Sequence, residues 1–208
     1  MWPTEQNLQA WEQRYGARDE VVRGLPEAVR ERLPKLEGKH VMHLPCGTGE
    51  VAAQLMELGA LVTGIDPSEA KLAAARQRAP DAAFFQAELD ELPLQFRRNR
   101  FTLVYASEGT LAQVRGLGPF ASAMTAALRK NGRLILHDWH PVFTCIDPID
   151  LRWRQSYFSE GLWRVGQVAV AFGSGLDITE LEELPPDAAA GRIDPRLPTS
   201  LLLSASKP

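Results

Sequence analysis

The amino-acid sequence predicts an α/β fold, a doubly wound sheet that is mostly parallel and carries helices on both faces. Three observations point there. From Val41 onward short apolar runs alternate with segments of helical period. The first run ends in a tight glycine loop, Pro45-Cys46-Gly47-Thr48-Gly49. The last two apolar runs are joined by a loop where the earlier ones are joined by helices, which makes an edge hairpin.

The segment Thr4–Tyr15 sets Leu8, Trp11 and Tyr15 on one helical face, with Thr4 as cap, and Pro26 and Pro34 bracket a second helix. Val41, Met42 and Leu44 then read as a buried strand. Glu50–Leu58 has Val51, Leu55 and Leu58 at helical spacing and is closed by Gly59. Leu61–Ile65 is a second buried strand, stopped by Asp66-Pro67-Ser68. Ser68 caps the alanine-rich helix that follows. Ala83–Gln86 and Phe101–Ala106 are strands three and four. Pro119–Leu128 is a helix with Arg129 and Lys130 at its negative end. Asn131-Gly132 turns into a fifth strand, Arg133–Asp138. From Trp139 to Leu162 the period lapses into an excursion over the carboxyl edge of the sheet. Leu162–Phe172 reads as a helix, and Leu176–Leu184 and Ser200–Ser206 as the strands of the late hairpin.

With 208 residues, and roughly 150 per domain, one globular domain is expected. We place it at residues 39–208, behind an N-terminal helical cap at 1–38. Lys and Arg number 23 against 26 Asp and Glu, a net charge of −3, so a general electrostatic grip on nucleic acid or an anionic membrane is disfavoured. No apolar run nears the ~20 residues of a membrane span, and the first residues lack a secretory pattern. Two cysteines, Cys46 and Cys145, form no metal-ligand spacing, and no His/Asp/Glu set at the rim does either. The expectation is a cytoplasmic protein, monomer or homodimer, that handles a small molecule without a metal.

In an open parallel sheet ligands bind beyond the carboxyl ends of the strands, near the reversal of strand order. That selects residues 45–50, 66–68, 87–90, 106–109 and 138–141. Gly47 and Gly49 let backbone approach a ligand, and the helix after them points its positive end at an anionic group. Asp66, at the end of the second strand, is placed to accept hydrogen bonds from two vicinal ribose hydroxyls. The bland reading is a glycine turn that only packs helix on strand. The loop together with the acid favours nucleoside binding.

The residues His43–Glu50, Val62–Arg76, Gln86–Leu94, Phe101–Leu111, Ala127–Leu136 and the closing Leu201–Pro208 make the chain resemble the class I methyltransferases that use S-adenosylmethionine. The resemblance implies a Rossmann-like, seven-stranded sheet whose last strand is antiparallel. It implies methyl transfer from S-adenosylmethionine, leaving S-adenosylhomocysteine, by in-line displacement onto a small acceptor. It also implies a cofactor site of His43, Leu44, Pro45, Cys46, Gly47, Gly49, Asp66, Pro67, Ala87, Glu88, Leu89 and Ser107. Asp66 corresponds to the family's ribose-binding acid. Glu88 and the next backbone N–H stand where the adenine amino edge is read, and Ser107 lies beside the methionine moiety. Two departures mark a variant subgroup: His43 replaces the usual acid that helps hold the ligand's amino group, and Pro45 replaces a glycine. A neutral imidazole still accepts one hydrogen bond, whereas Pro45 removes an N–H donor.

Two alternatives stay open. Gly47, Gly49 and Ala52 also satisfy the dinucleotide pattern G-x-G-x-x-A, so an NAD(P)-dependent oxidoreductase is one. A catalytically silent S-adenosylmethionine-binding module is the other. Around the rim, His140 is the candidate catalytic base, against a reading in which it only caps a strand. Glu108, Trp139 and Tyr157 are candidate substrate contacts. Trp153, Phe158 and Trp163 could add an apolar lining, and Tyr15, with Trp11, is a candidate lid over the cofactor. Arg97, Arg98 and Arg100 read as a solvated loop, and Cys46 as a small buried loop residue.

Overall fold

The computed structural model describes residues 24–146, 152–153, 156, 164–185 and 198–208. Its strands are β1 (His40–Leu44), β2 (Leu61–Asp66), β3 (Ala83–Gln86), β4 (Phe101–Ala106), β5 (Leu128–Trp139), β6 (Asp177–Leu184) and β7 (Ser200–Ser206). The helices are α1 (Glu27–Arg30), α2 (Glu50–Glu57), α3 (Glu69–Arg78), α4 (Thr110–Gln113), α5 (Leu117–Ala127) and α6 (Val165–Gly173). All seven strands form one sheet in the order β3-β2-β1-β4-β5-β7-β6. The β3 to β5 part is parallel, and β7 runs antiparallel to both β5 and β6. The chain first builds outward from β1 to β3, then crosses back to β4, so strand order reverses between β1 and β4.

Neighbouring residues of a strand point to opposite faces, and the core divides accordingly. Met42, Val104, Leu134 and Leu203 pack with Phe120 and Met124 of α5 and Phe172 of α6. Val41, Leu103, Ile135 and Leu202 pack with Val29 of α1, Leu55 of α2 and Leu72 and Ala75 of α3. Strands covered on both faces must be apolar at nearly every position, which is why they read as continuous apolar runs. Helix α3 forms where Ser68 caps it, its Oγ accepting from the Lys71 amide at 3.4 Å, with Glu69 in the first turn and Arg76 and Arg78 in the last.

The junction of the fifth helix and fifth strand differs from the sequence reading. Helix α5 starts two residues early and gives way directly to β5 at Leu128, so Arg129 and Lys130 lie in a strand and not at a helix end. The cation at that helix end is Lys207, whose Nζ donates to the carbonyls of Thr125 at 2.8 Å and Leu128 at 2.9 Å. Residues that close the chain thus terminate a helix some 80 positions earlier, a pairing that no local pattern announces. The expected helix at Thr4–Tyr15 lies outside the described residues. Among those described, no helix is long and apolar enough to cross a membrane.

The two loop glycines are required for different reasons. Gly49 has φ +89°, and a Cβ there would lie 2.9 Å from the Ala75 Cα of α3, so its missing side chain lets α2 and α3 meet. Gly47 has φ +54° and nothing within 4 Å of a Cβ, so only its backbone conformation excludes other residues. Gly47→Ala is therefore expected to lower stability by about 1 kcal/mol, the left-handed cost alone. Gly49→Ala adds a clash with rigid backbone, for a loss of about 3 kcal/mol. Urea unfolding of the two variants checks this; equal losses would contradict the distinction.

Candidate functional site

Past the end of β1 the chain passes Pro45, whose peptide bond with Leu44 is cis, and enters the glycine loop. The Cys46 amide continues the ladder to β2 by donating to the Ile65 carbonyl at 2.8 Å. The loop is then closed by a side chain from the neighbouring strand. Asp66 is 1 % exposed; its Oδ2 accepts from the Gly47 amide and its Oδ1 from the Ser68 amide, each at 2.9 Å. One carboxylate thereby joins the loop after β1 to the turn after β2, with one lone pair left on each oxygen. From the other side Arg78 of α3 donates to the Thr48 carbonyl at 2.5 Å and pairs with Glu50 at 2.7 Å.

The loop after β4 is held in the same manner. The Ser107 amide donates to the Leu44 carbonyl at 2.9 Å, and its hydroxyl donates to the Pro45 carbonyl at 3.0 Å. His43 Nε2 lies 3.1 Å from that hydroxyl oxygen. The His43 ring stacks on Tyr105, its register partner across β1 and β4, with centroids 5.2 Å apart and planes 9° from parallel. Burial holds the imidazole's pKa down to about 3, so it is neutral at physiological pH. Nδ1 of the same ring is buried, with no hydrogen-bond partner among the described residues.

Sequence reasoning placed Asp138 in the rim segment 138–141 but assigned it no role. It is 1 % exposed; its Oδ1 accepts from the Gly109 and Trp139 amides and its Oδ2 from the Leu111 amide, all at 2.7 Å. Burial pushes its pKa up to about 7, Glu108 adds to that, and the three N–H groups oppose it. Its signal was present in the sequence: an acid two residues past the apolar run Leu134–Leu136, in a buried strand, must find donors near the strand's end.

The remaining predicted residues sort by position. Ala87 donates its amide to the Asp66 carbonyl at 3.3 Å, and the Pro67 carbonyl accepts from the Gln86 side chain at 2.9 Å. This brings the loop after β3 against the turn after β2. Glu88 is exposed, while Leu89 is buried in the core beneath it. Glu108 and Trp139 are half-buried on the same rim. Cys46 is buried, and burial together with Asp66 pushes its thiol up to about 12, which leaves no thiolate nucleophile at neutral pH. Gly49 also serves the packing of α2 on α3.

His140 stands at the end of β5. Its Nδ1 accepts from the Val142 amide at 3.1 Å, so Nε2 carries the proton and donates to Glu183 at 2.9 Å. Both nitrogens are hydrogen-bonded, and the ring ties the end of β5 to β6. Trp153 is 57 % exposed and bridges to Ile146. Tyr15, Trp11, Tyr157, Phe158 and Trp163 lie outside the described residues.

A sheet of this order, with a glycine loop at its reversal and an acid ending the adjacent strand, defines a nucleoside-binding α/β domain. Residues 41–132 match the model of a methyltransferase domain. The fold is shared with an S-adenosylmethionine-dependent methyltransferase from Mesorhizobium loti at 28 % identity and a TM-score of 0.71, over 86 % of this chain and 96 % of that one. A ubiquinone biosynthesis O-methyltransferase from Bradyrhizobium diazoefficiens is 31 % identical over 57 % of this chain and 47 % of its own length. A dTDP-3-amino-3,6-dideoxy-alpha-D-glucopyranose N,N-dimethyltransferase from Streptomyces fradiae is 25 % identical over 82 % of this chain and 60 % of that protein. Over residues 41–132 and in its fold the chain is thus similar to S-adenosylmethionine-dependent methyltransferases. It spans about half the length of the ubiquinone-pathway relatives it matches.

His43 also gives the fold a pH signature. Its folded pKa near 3 lies below the ordinary value near 6.5, so the unfolded chain takes up the proton first as pH falls. The contribution is complete above about pH 6.5 and is lost toward pH 3. The stability of the native protein minus that of His43→Gln should therefore rise between those limits and then level off. Urea melts across that range check it; a flat difference would contradict a buried neutral ring.

Proposed function

We propose that this chain is an enzyme that transfers the methyl group of S-adenosylmethionine to a small-molecule acceptor. The observation that carries the reading is the Asp66 clasp, which holds the glycine loop and the turn after β2 in one fixed arrangement at the reversal of strand order. The residues present fit the nucleoside. Asp66 keeps two lone pairs for ribose hydroxyls, and Gly47 leaves open space where a side chain would stand. His43 brings a buried acceptor, and exposed Glu88, with the Leu89 amide beside it, would take the adenine amino edge. The relatives' names, an O-methyltransferase of ubiquinone biosynthesis and an N,N-dimethyltransferase of a dTDP-linked amino sugar, support a small acceptor.

Bound S-adenosylmethionine supplies a methyl group already activated on a positively charged sulfur. The chain's own contribution is therefore orientation: short loops tied to one another keep donor and acceptor groups in place. Ser107, with its amide on Leu44 and its hydroxyl on Pro45, stays fixed where the methionine moiety would lie. His140 acts as a positioning residue for the end of β5. An acceptor that attacks through an unprotonated amine or an ionised oxygen needs no side-chain base.

Incubation with methyl-labelled S-adenosylmethionine and a small-molecule extract is expected to yield a labelled low-mass product. Binding of NADPH in preference to S-adenosylmethionine, measured by calorimetry, would overturn the reading. Binding without any labelled product would instead favour a silent module. Asp66→Ala is expected to weaken donor binding at least tenfold, about 1.4 kcal/mol. Unchanged affinity in a folded variant would remove Asp66 from the ribose.

A further inference from the structure

The proton count at Ser107 has a consequence for His43. A serine hydroxyl holds one proton, and Ser107 donates it to the Pro45 carbonyl at 3.0 Å. The contact of 3.1 Å between the same oxygen and His43 Nε2 is then a hydrogen bond only if the ring nitrogen is the donor. The opposite arrangement, with the hydroxyl turned toward the ring, strands the Pro45 carbonyl and leaves a buried N–H at Nδ1 with no acceptor. Orphaned buried N–H groups are rarer in proteins than under-satisfied acceptors, so the network favours a proton on Nε2. Around it the polar groups are closed: the Ser107 amide on Leu44, the Thr110 hydroxyl on the Ser107 carbonyl at 2.6 Å, and the Cys46 amide on Ile65. His43 Nδ1, on a residue 2 % exposed, is left as a lone pair without a donor among the described residues.

We infer that Ser107 is a positioning residue that sets the tautomer of His43 and so presents Nδ1 as a neutral acceptor for a ligand N–H at the root of the glycine loop. The ligand half of this rests on the proposed function; the tautomer half does not. The chemistry it selects is a nucleoside bearing an amino-acid ammonium, held by hydrogen bonding without an opposing carboxylate at this position. Pro45 takes part through its carbonyl, which engages the one proton that would otherwise compete for Nε2. The two departures of this loop from the family pattern, His43 and Pro45, then act together through Ser107.

Long-range proton–nitrogen spectra of the full chain labelled with ¹⁵N-histidine test this, with the His43 signals assigned by their loss in His43→Gln. The ligand-free protein is expected to show His43 protonated on Nε2 with Nδ1 bare. Saturation with S-adenosylmethionine is expected to move the Nδ1 resonance upfield, as an accepting nitrogen does. Ser107→Ala is expected to lose the single tautomer and to bind S-adenosylmethionine about fivefold more weakly. Ser107→Thr, which keeps the hydroxyl, is expected to restore both. A proton on Nδ1, or on both nitrogens, in the native protein overturns the inference without recourse to any variant. An unmoved Nδ1 under calorimetrically confirmed saturation overturns its ligand half. Absence of any binding heat defeats the methyltransferase reading, while the ligand-free spectrum still decides the tautomer.

Discussion

A carboxylate buried with no cation against it is tolerated only where donors replace the water it has lost. Asp66 meets that condition with two backbone amides drawn from two different loops, Gly47 and Ser68. Much of the rim follows from this arrangement. The glycine loop cannot shift without stranding the charge, and the turn after β2 cannot shift without doing the same. The loop after β3 is seated in turn, because the Ala87 amide reaches the Asp66 carbonyl.

The same device recurs across the sheet. Asp138 gathers Gly109, Leu111 and Trp139 and so ties the loop after β4 to the end of β5. Between the two acids, His43, Ser107 and Pro45 tie β1 to β4. Irregular backbone at the strand ends cannot use the ladder, so its N–H and C=O groups must find other partners. Here they find them in side chains that begin or end the strands. The rim is thus held by its own side chains, which suits chemistry that depends on alignment more than on proton transfer. Where related loops carry an acid, this one offers an imidazole that burial keeps uncharged.

What could be read from the residues alone was whatever depends on neighbours close in sequence. Alternating apolar runs gave the strands, the late loop gave the antiparallel hairpin, and the glycine loop followed by Asp66 marked the rim. What escaped depends on partners far along the chain. The packing reason for Gly49 shows only when Ala75 is seen beneath it. Lys207 caps a helix that ends at Ala127. Asp138 lies two residues past an apolar run, and its need for three amides becomes visible only when the loop after β4 closes on it. His140 carries the residue type of a base and the position of one. Yet Val142 and Glu183 occupy both of its nitrogens, and nothing local signals Glu183. Tyr15 and Tyr157 are chosen by aromatic spacing and lie outside the described residues.

The most direct measurement is a crystal structure of the protein soaked with S-adenosylhomocysteine. Density for the nucleoside over the carboxyl ends of β1, β2 and β4 is predicted, with its ribose hydroxyls on Asp66 and the Gly47 and Ser68 amides still held. Density elsewhere, or a crevice closed by the chain's own side groups with Asp66 turned away, would contradict the account.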